Sequence, residues 1–177
     1  MSNQEKMPLE IERKFLIHRP DEAMLAEIPG AVKYEIEQIY LPENARGEHP
    51  RIRRRVGPHG VECFYTVKRK ITAVTRVEQE NNISPEQYAT LASAQQRPVV
   101  ICKTRWCLPA GDHTAEVDIY PFWENTAVVE VELASENEAF ELPQVLSVIR
   151  EVTGEARFLN RDMARELWET GCVKEEI

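Results

Sequence analysis

No apolar run in this chain is long enough to span a bilayer, and its N-terminus is polar and charged, without the apolar stretch of a secretory leader. Cysteine is sparse. Cys63, Cys102, Cys107 and Cys172 are scattered, form no C-x-x-C pair and have no histidine near them at zinc-finger spacing. They read as reduced structural thiols, and a cytoplasmic protein is the expectation. Glycine numbers only 7, and neither GxxxxGK[ST] nor GxGxxG occurs. Any anion site must therefore be built from side chains rather than from a backbone loop. The 4 histidines (His18, His49, His59, His113) fall near strand ends or in turns and read as solvated. No serine, cysteine or histidine presents itself as a nucleophile. A net charge of -8 argues against a general nucleic-acid or membrane-surface protein.

What is present is charge in an unusual order. A chain of 177 residues, 42 % hydrophobic and 29 % charged, is expected to form one domain over 1–177 with a substantial core. Near its start, LEIERKFLI sets Glu10, Glu12 and Lys14 at i, i+2, i+4. Those positions share one face of a strand, while Leu9, Ile11 and Phe15 take the other. The pattern recurs. KYEIEQIYL (33–41) alternates and ends before Pro42. PRIRRRV aligns Arg51, Arg53 and Arg55, and Gly57, Pro58 and Gly60 mark a hairpin turn. VECFYTVKRK aligns Phe64, Thr66 and Lys68, and 73–83 sets Arg76, Glu78 and Glu80 together. VVICKTRWCL aligns Lys103 and Arg105 with Ile101, HTAEVDIY aligns Glu116, Asp118 and Tyr120, and TAVVEVEL aligns Glu130 and Glu132.

Ser84-Pro85-Glu86 opens a helix to about residue 94, with Ser84 as N-cap. Leu142, Val145, Leu146, Ile149 and Val152 recur at helical spacing and predict a helix over 142–152, stopped by Gly154. A last helix is expected over about 160–170, its Met163, Leu167 and Trp168 covering apolar sheet or, if the sheet closes, plugging one end. The sum is eight strands and about three helices.

A single strand of this kind is most simply a sheet with one solvated face. The combination argues otherwise, because like charges come in same-strand pairs. If the sheet closes, eight strands suffice for a small barrel, and these faces line its lumen. Desolvating so many ions costs several kcal/mol each, only partly offset by pairing. A highly charged ligand explains the arrangement. Carboxylates without histidine or cysteine suit Mg²⁺ or Mn²⁺, and arginine and lysine pairs suit phosphate oxygens.

These residues resemble the CYTH family, the triphosphate tunnel metalloenzymes. The motifs stand here, from Glu10 to Glu132, as E-x-E-x-K (Glu10, Glu12, Lys14), R-x-R (Arg51, Arg53), T-x-K (Thr66, Lys68) and R-x-E-x-E (Arg76, Glu78, Glu80), then K-x-R (Lys103, Arg105), E-x-D (Glu116, Asp118) and E-x-E (Glu130, Glu132). The resemblance implies an α+β fold: a closed eight-stranded antiparallel β-barrel with a charged lumen, strands over about 7–133 and helices over about 142–170. It implies metal-dependent cleavage of a triphosphate, and the short chain is similar to the bacterial inorganic triphosphatases. Glu10, Glu12, Lys14 and Glu132 are then the expected catalytic residues. Lys14, Arg51, Arg53, Lys68, Arg76, Lys103 and Arg105 would bind substrate. Glu10, Glu12, Asp118, Glu130 and Glu132 would hold one or two Mg²⁺ or Mn²⁺ ions, with Glu78, Glu80 and Glu116 as supporting acids. Arg55 is an extra arginine, lumen-facing or at the tunnel mouth. The expected partner is a small-molecule triphosphate acted on by a monomer or homodimer. Alternatives are a class IV-type adenylyl cyclase, a thiamine- or nucleoside-triphosphatase, or a non-catalytic polyphosphate-binding module.

Overall fold

The computed structural model describes residues 9–45, 48–70 and 75–176, with side chains described over 11–45, 48–67 and 79–176. Eight strands fall where the alternation predicts them: β1 (Leu9–His18), β2 (Val32–Tyr40), β3 (Pro50–Gly57), β4 (Gly60–Lys70), β5 (Thr75–Ile83), β6 (Val99–Ala110), β7 (His113–Ile119) and β8 (Thr126–Leu133). A ninth, β9 (Val148–Glu151), was not expected. All pairings are antiparallel, in the order β5-β4-β3-β2-β6-β7-β8-β1-β9. One edge of β1 is shared: Leu9–Ile11 pairs with β5, and Phe15–Ile17 pairs with β9.

The helices are α1 (Glu22–Ala26), α2 (Pro85–Ser93) and α3 (Asn160–Thr170), with a 3-10 turn at Ala156–Phe158. Ser84 caps α2 as the sequence implies. Its hydroxyl accepts from the Gln87 amide at 3.2 Å, and the Gln87 side chain accepts from the Ser84 amide at 2.8 Å, a reciprocal capping box. Gly171, in the left-handed region at φ 79, ends α3.

The helix predicted over 142–152 is not formed. That stretch is a turn, closed by the Leu146 amide donating to the Pro143 carbonyl at 2.9 Å, followed by β9. Its apolar residues serve two different cores. Phe140, Leu142, Val145 and Leu146 pack on one side of the sheet, and Ile149 and Val152 on the other. A helix would have put them all on one side. Pro143 and the β-branched pair Val148-Ile149 favour the extended alternative.

Three apolar clusters result. One covers the face of β1, β6, β7 and β8 opposite the charges: Ile17, Trp106, Leu108, Val117, Val129 and Val131 under Leu25 of α1 and Leu146. A smaller one places Tyr88 of α2 against Ile39, Ile52 and Cys63. The third lies on the charged side itself. Leu16, Ile101, Tyr120 and Val128 meet Phe158, Met163, Ala164 and Trp123 there. The last helix therefore does not cover the outer apolar sheet, as expected from its amphipathic pattern. It seals one end of the face that carries the charges. No helix among the described residues is long and apolar enough to cross a membrane, which says nothing of β-barrels.

Candidate active site

The ladder registers carry the charged face from strand to strand. Lys14 stands opposite Glu130, Glu12 opposite Glu132, Glu116 opposite Glu130, and Arg105 opposite Asp118. On β2 the positions facing these are uncharged: Tyr34 opposite Arg105 and Ile36 opposite Lys103, then Ile36, Gln38 and Tyr40 opposite Arg55, Arg53 and Arg51. Beyond β3 the same face continues as Thr66 opposite Arg51 and Glu80 opposite Thr66. Lys68 is registered with Glu78, and Glu10 with Arg76. The side chains of these last four lie outside the described residues.

The centre is a buried ion array spanning four strands. Arg105 donates from Nε to Asp118 Oδ1 at 2.6 Å and from Nη2 to Asp118 Oδ2 at 2.7 Å. Its Nη2 also reaches Glu130 Oε2 at 2.8 Å, and Nη1 bonds Glu116. Lys103 Nζ meets Asp118 Oδ2 at 2.5 Å, and Lys14 Nζ meets Glu130 Oε1 at 2.5 Å. Lys14, Lys103, Asp118 and Glu130 are all buried. Lys14 Nζ also donates to the Phe158 carbonyl at 3.1 Å, tying the array to the segment that seals the face.

This geometry shifts the titrations. Burial opposes ionisation of Glu130, but Lys14, Arg105 and Lys103 outweigh it and hold the carboxyl well below its ordinary value. Burial and the neighbouring Arg105 pull the Lys103 ammonium down to about 8, against the opposing pull of Asp118 and Glu130. Tyr40 is pushed up to about 12 by burial, with Arg51 and Gln38 acting against the rise.

The arginine strand is separate from this array. Arg53 donates from Nη2 to both Glu80 oxygens at 3.0 Å and lies 4.9 Å over the Phe64 ring. Its Nε is buried and has no hydrogen-bond partner. An unspent buried donor carries a desolvation cost that an incoming acceptor removes. Glu80 also accepts from the Thr66 hydroxyl at 2.8 Å. Arg55 shares the face but bonds the exposed Glu62 at 2.8 Å and lies over the Tyr34 and Phe64 rings, away from the sealed end.

No family model matches the chain. The inorganic triphosphatase of Acetivibrio thermocellus is 30 % identical to it over 161 residues, covering 90 % of this chain and 95 % of that protein. The chain belongs to the CYTH family of triphosphate tunnel metalloenzymes. The crystal structure of the inorganic triphosphatase NE1496 is similar at 29 % identity and a TM-score of 0.56, covering 88 % of this chain and 93 % of that one. The PH1819 protein from Pyrococcus horikoshii OT3 is similar at 25 % identity and a TM-score of 0.54, covering 72 % and 80 %.

For a CYTH protein, the donor set for a metal is of interest. Among the described residues, no three His, Cys, Asp or Glu side chains come together in a metal-holding group. Glu12 and Glu132 do face each other across β1 and β8, with Glu10 two residues along the same strand. Like charges directly opposite are unfavourable, and oxygen donors alone fit a hard divalent ion. The expected residues Asp118 and Glu130 are instead clasped by Lys14, Lys103 and Arg105. Four participants went unread in the sequence: Tyr34, Gln38, Tyr40 and the Phe158 carbonyl. The first three sit on a strand whose inward positions carry no charge, and a backbone carbonyl leaves no sequence signal.

Proposed function

We propose that this protein is a metal-dependent inorganic triphosphatase that hydrolyses tripolyphosphate to pyrophosphate and phosphate. The observation that carries the reading is the buried array of Lys14, Lys103 and Arg105 on Asp118 and Glu130, set beside an arginine strand with an unspent donor at Arg53. The named activity of the Acetivibrio thermocellus relative supports it. The β1–β5 pairing over Leu9–Ile11 supports closure of the first eight strands into a tunnel, with the charged face as its lumen and α3 as its plug. We assign the chain one domain, working in the cytoplasm as a monomer or homodimer on a small-molecule triphosphate.

In this reading Arg51, Arg53, Lys68 and Lys103 bind the phosphate oxygens, the arginines by forks and the lysines as point charges. Arg105 shares the substrate face, but three carboxylates hold it, so it mainly fixes the array's geometry. Lys14 contributes charge from beside the metal end, and Arg76 is assigned to substrate binding with the other bases. These preorganised cations offset the charge that develops as a phosphoryl group is transferred. Glu12 and Glu132, with Glu10, would hold Mg²⁺ or Mn²⁺. Bound there, the ion would supply Lewis-acid stabilisation and a more acidic water. Asp118 and Glu130 keep the lysines and Arg105 in place.

The test is phosphate release from tripolyphosphate, ATP and thiamine triphosphate, each with Mg²⁺, Mn²⁺ or chelator. Metal-dependent release fastest from tripolyphosphate is the expected outcome. Cyclic AMP from ATP without orthophosphate, or no product from any substrate, would overturn it.

A further inference from the structure

A second group of arginines stands apart from the charged face. Arg13, Arg19, Arg53, Arg55, Arg105, Arg150 and Arg157 each reach a carboxylate within 4.0 Å. Among the described residues Arg97, Arg161 and Arg165 have no such partner, in a chain whose acids outnumber its bases 30 to 22. All three line one cavity of about 320 Å³ at the junction of β2, β6 and α3. Arg161 and Arg165, four residues apart, share a face of α3. Arg97 comes from the segment before β6 and stacks 4.6 Å over the ring of Trp168, which is 43 % exposed. Glu43 is the one acid among the described residues that line the cavity, and it sits 3.7 Å from His49, which lines it too.

Arg97 and Arg165 are exposed and Arg161 is half-buried, so water screens part of their mutual repulsion, and an anion bound among them would offset the rest. A multivalent oxyanion offers the acceptors that arginine forks match. The volume lies at the low end of ligand pockets, which run about 300–1,000 Å³, and so favours a compact anion over a nucleotide. Tyr40 forms one wall, and the same residue stands opposite Arg51 in the β2–β3 ladder. The pocket is therefore next to the charged face, on the sealed side.

We propose that Arg97, Arg161 and Arg165 form an accessory anion site, distinct from the triphosphate site, that takes a compact condensed phosphate of the pyrophosphate class. The choice of condensed phosphate rests on the triphosphatase reading; the anion site itself does not. Occupancy would bridge β6 to α3 and so brace the helix that seals the charged face.

The test titrates pyrophosphate into the full chain in the presence of chelator, followed by calorimetry and by tryptophan fluorescence, with Trp168→Phe to assign the signal. Two binding events are expected, and only one moves the Trp168 emission. R161Q/R165Q should abolish the fluorescence response and weaken that event by at least about tenfold, the scale of one lost charge-assisted hydrogen bond. Arg53→Ala should weaken the other event and leave this one. R97Q, read by calorimetry, provides an independent variant should the α3 changes disturb folding. A single event in the wild type, or a Trp168 response that survives both arginine variants, would overturn the proposal. Failure of the triphosphatase reading would appear separately, as absent phosphate release with pyrophosphate still bound here.

Discussion

Two halves of one sheet face differ by a single pleat repeat. On β1 the step is from Lys14 to Leu16, on β6 from Lys103 to Ile101, on β8 from Glu130 to Val128, and at the end of β7 from Asp118 to Tyr120. On one side of that boundary the side chains form an ion array; on the other they pack against Phe158, Met163 and Ala164. The steps on β1 and β8 are level, since Lys14 pairs with Glu130 and Leu16 with Val128, whereas Asp118 stands opposite Val128 and Arg105 opposite Asp118, so the boundary is staggered by a pleat repeat from β8 to β7 and continues to climb on β6. The apolar layer determines the electrostatics of the polar one. It keeps water from the ends of Lys14 and Lys103, and reduced screening is what lets the array hold Glu130 far below its usual titration. On the proposed reading the charged half serves binding and the apolar half stability, and substitutions should separate the two.

The largest effect is expected in the apolar half. Phe158 is fully buried among Trp123, Met163 and Val152. Phe158→Ala should destabilise the fold by about 3–5 kcal/mol, the usual range for emptying such a site, read by urea denaturation. Its carbonyl bond to Lys14 is made by the backbone and survives, so turnover per folded molecule should change far less. Next comes Arg53→Ala in the charged half. Glu80 keeps its bond from Thr66, so stability should hardly move, whereas turnover should fall by about 10²–10³, as when one transition-state donor is removed. Near-normal turnover in Arg53→Ala, or an unchanged midpoint in Phe158→Ala, would dissolve the distinction between the halves.

This distinction was half legible in the sequence. A period of two in charged residues survives any tertiary arrangement, so Glu12, Lys14, Arg53, Lys103, Arg105, Asp118 and Glu130 could be placed on one face directly. The registers that bring Asp118 between Lys103 and Arg105 could not, because they depend on which strands pair. The place of α3 was legible only as a choice between the sheet exterior and one end of the charged face. Met163 and Leu167 announce that α3 has an apolar side, but not which side of a sheet will receive it. The stretch 142–152 misled because residues split between two cores happen to recur every three or four positions. The pocket arginines carried no signal at all, since Arg97 and Arg161 are distant in sequence and meet only through the packing of α3 on β6.

A smaller effect concerns pH. Lys103 titrates at about 8 in the fold, below its ordinary 10.5. Between those values the unfolded chain holds a proton that the folded one has released, so this group's contribution to stability rises with pH across the window. Substrate affinity should run the other way, because the ammonium that attracts phosphate is lost as pH passes 8. KM for tripolyphosphate should therefore rise several-fold between about pH 7 and about pH 9, and Lys103→Met should have a high KM that no longer responds over that range. A KM that is flat in the wild type would mean that Lys103 does not meet substrate as a cation.

The smallest effect belongs to the neighbour of Lys14. Arg13 points to the opposite face, where it donates to Glu151 at 2.9 and 2.6 Å and lies 5.1 Å over the Phe15 ring and 5.3 Å over the Phe140 ring. Both partners of the ion pair are about a third or more exposed, at 34 % and 41 %. Water and salt screen such a pair, and exposed pairs contribute about 1 kcal/mol or less. Arg13→Ala should lower stability by no more than that, with the difference shrinking in high salt and turnover unaltered. Lys14→Met, one residue away, should remove a cation from Glu130 in a site that excludes water and reduce turnover sharply. Adjacent positions on one strand would then differ because of the face they occupy, not because of their charge. If Arg13→Ala reduced turnover as Lys14→Met does, the two faces would not be chemically independent, and the alternation would have lost its meaning as a map of the site.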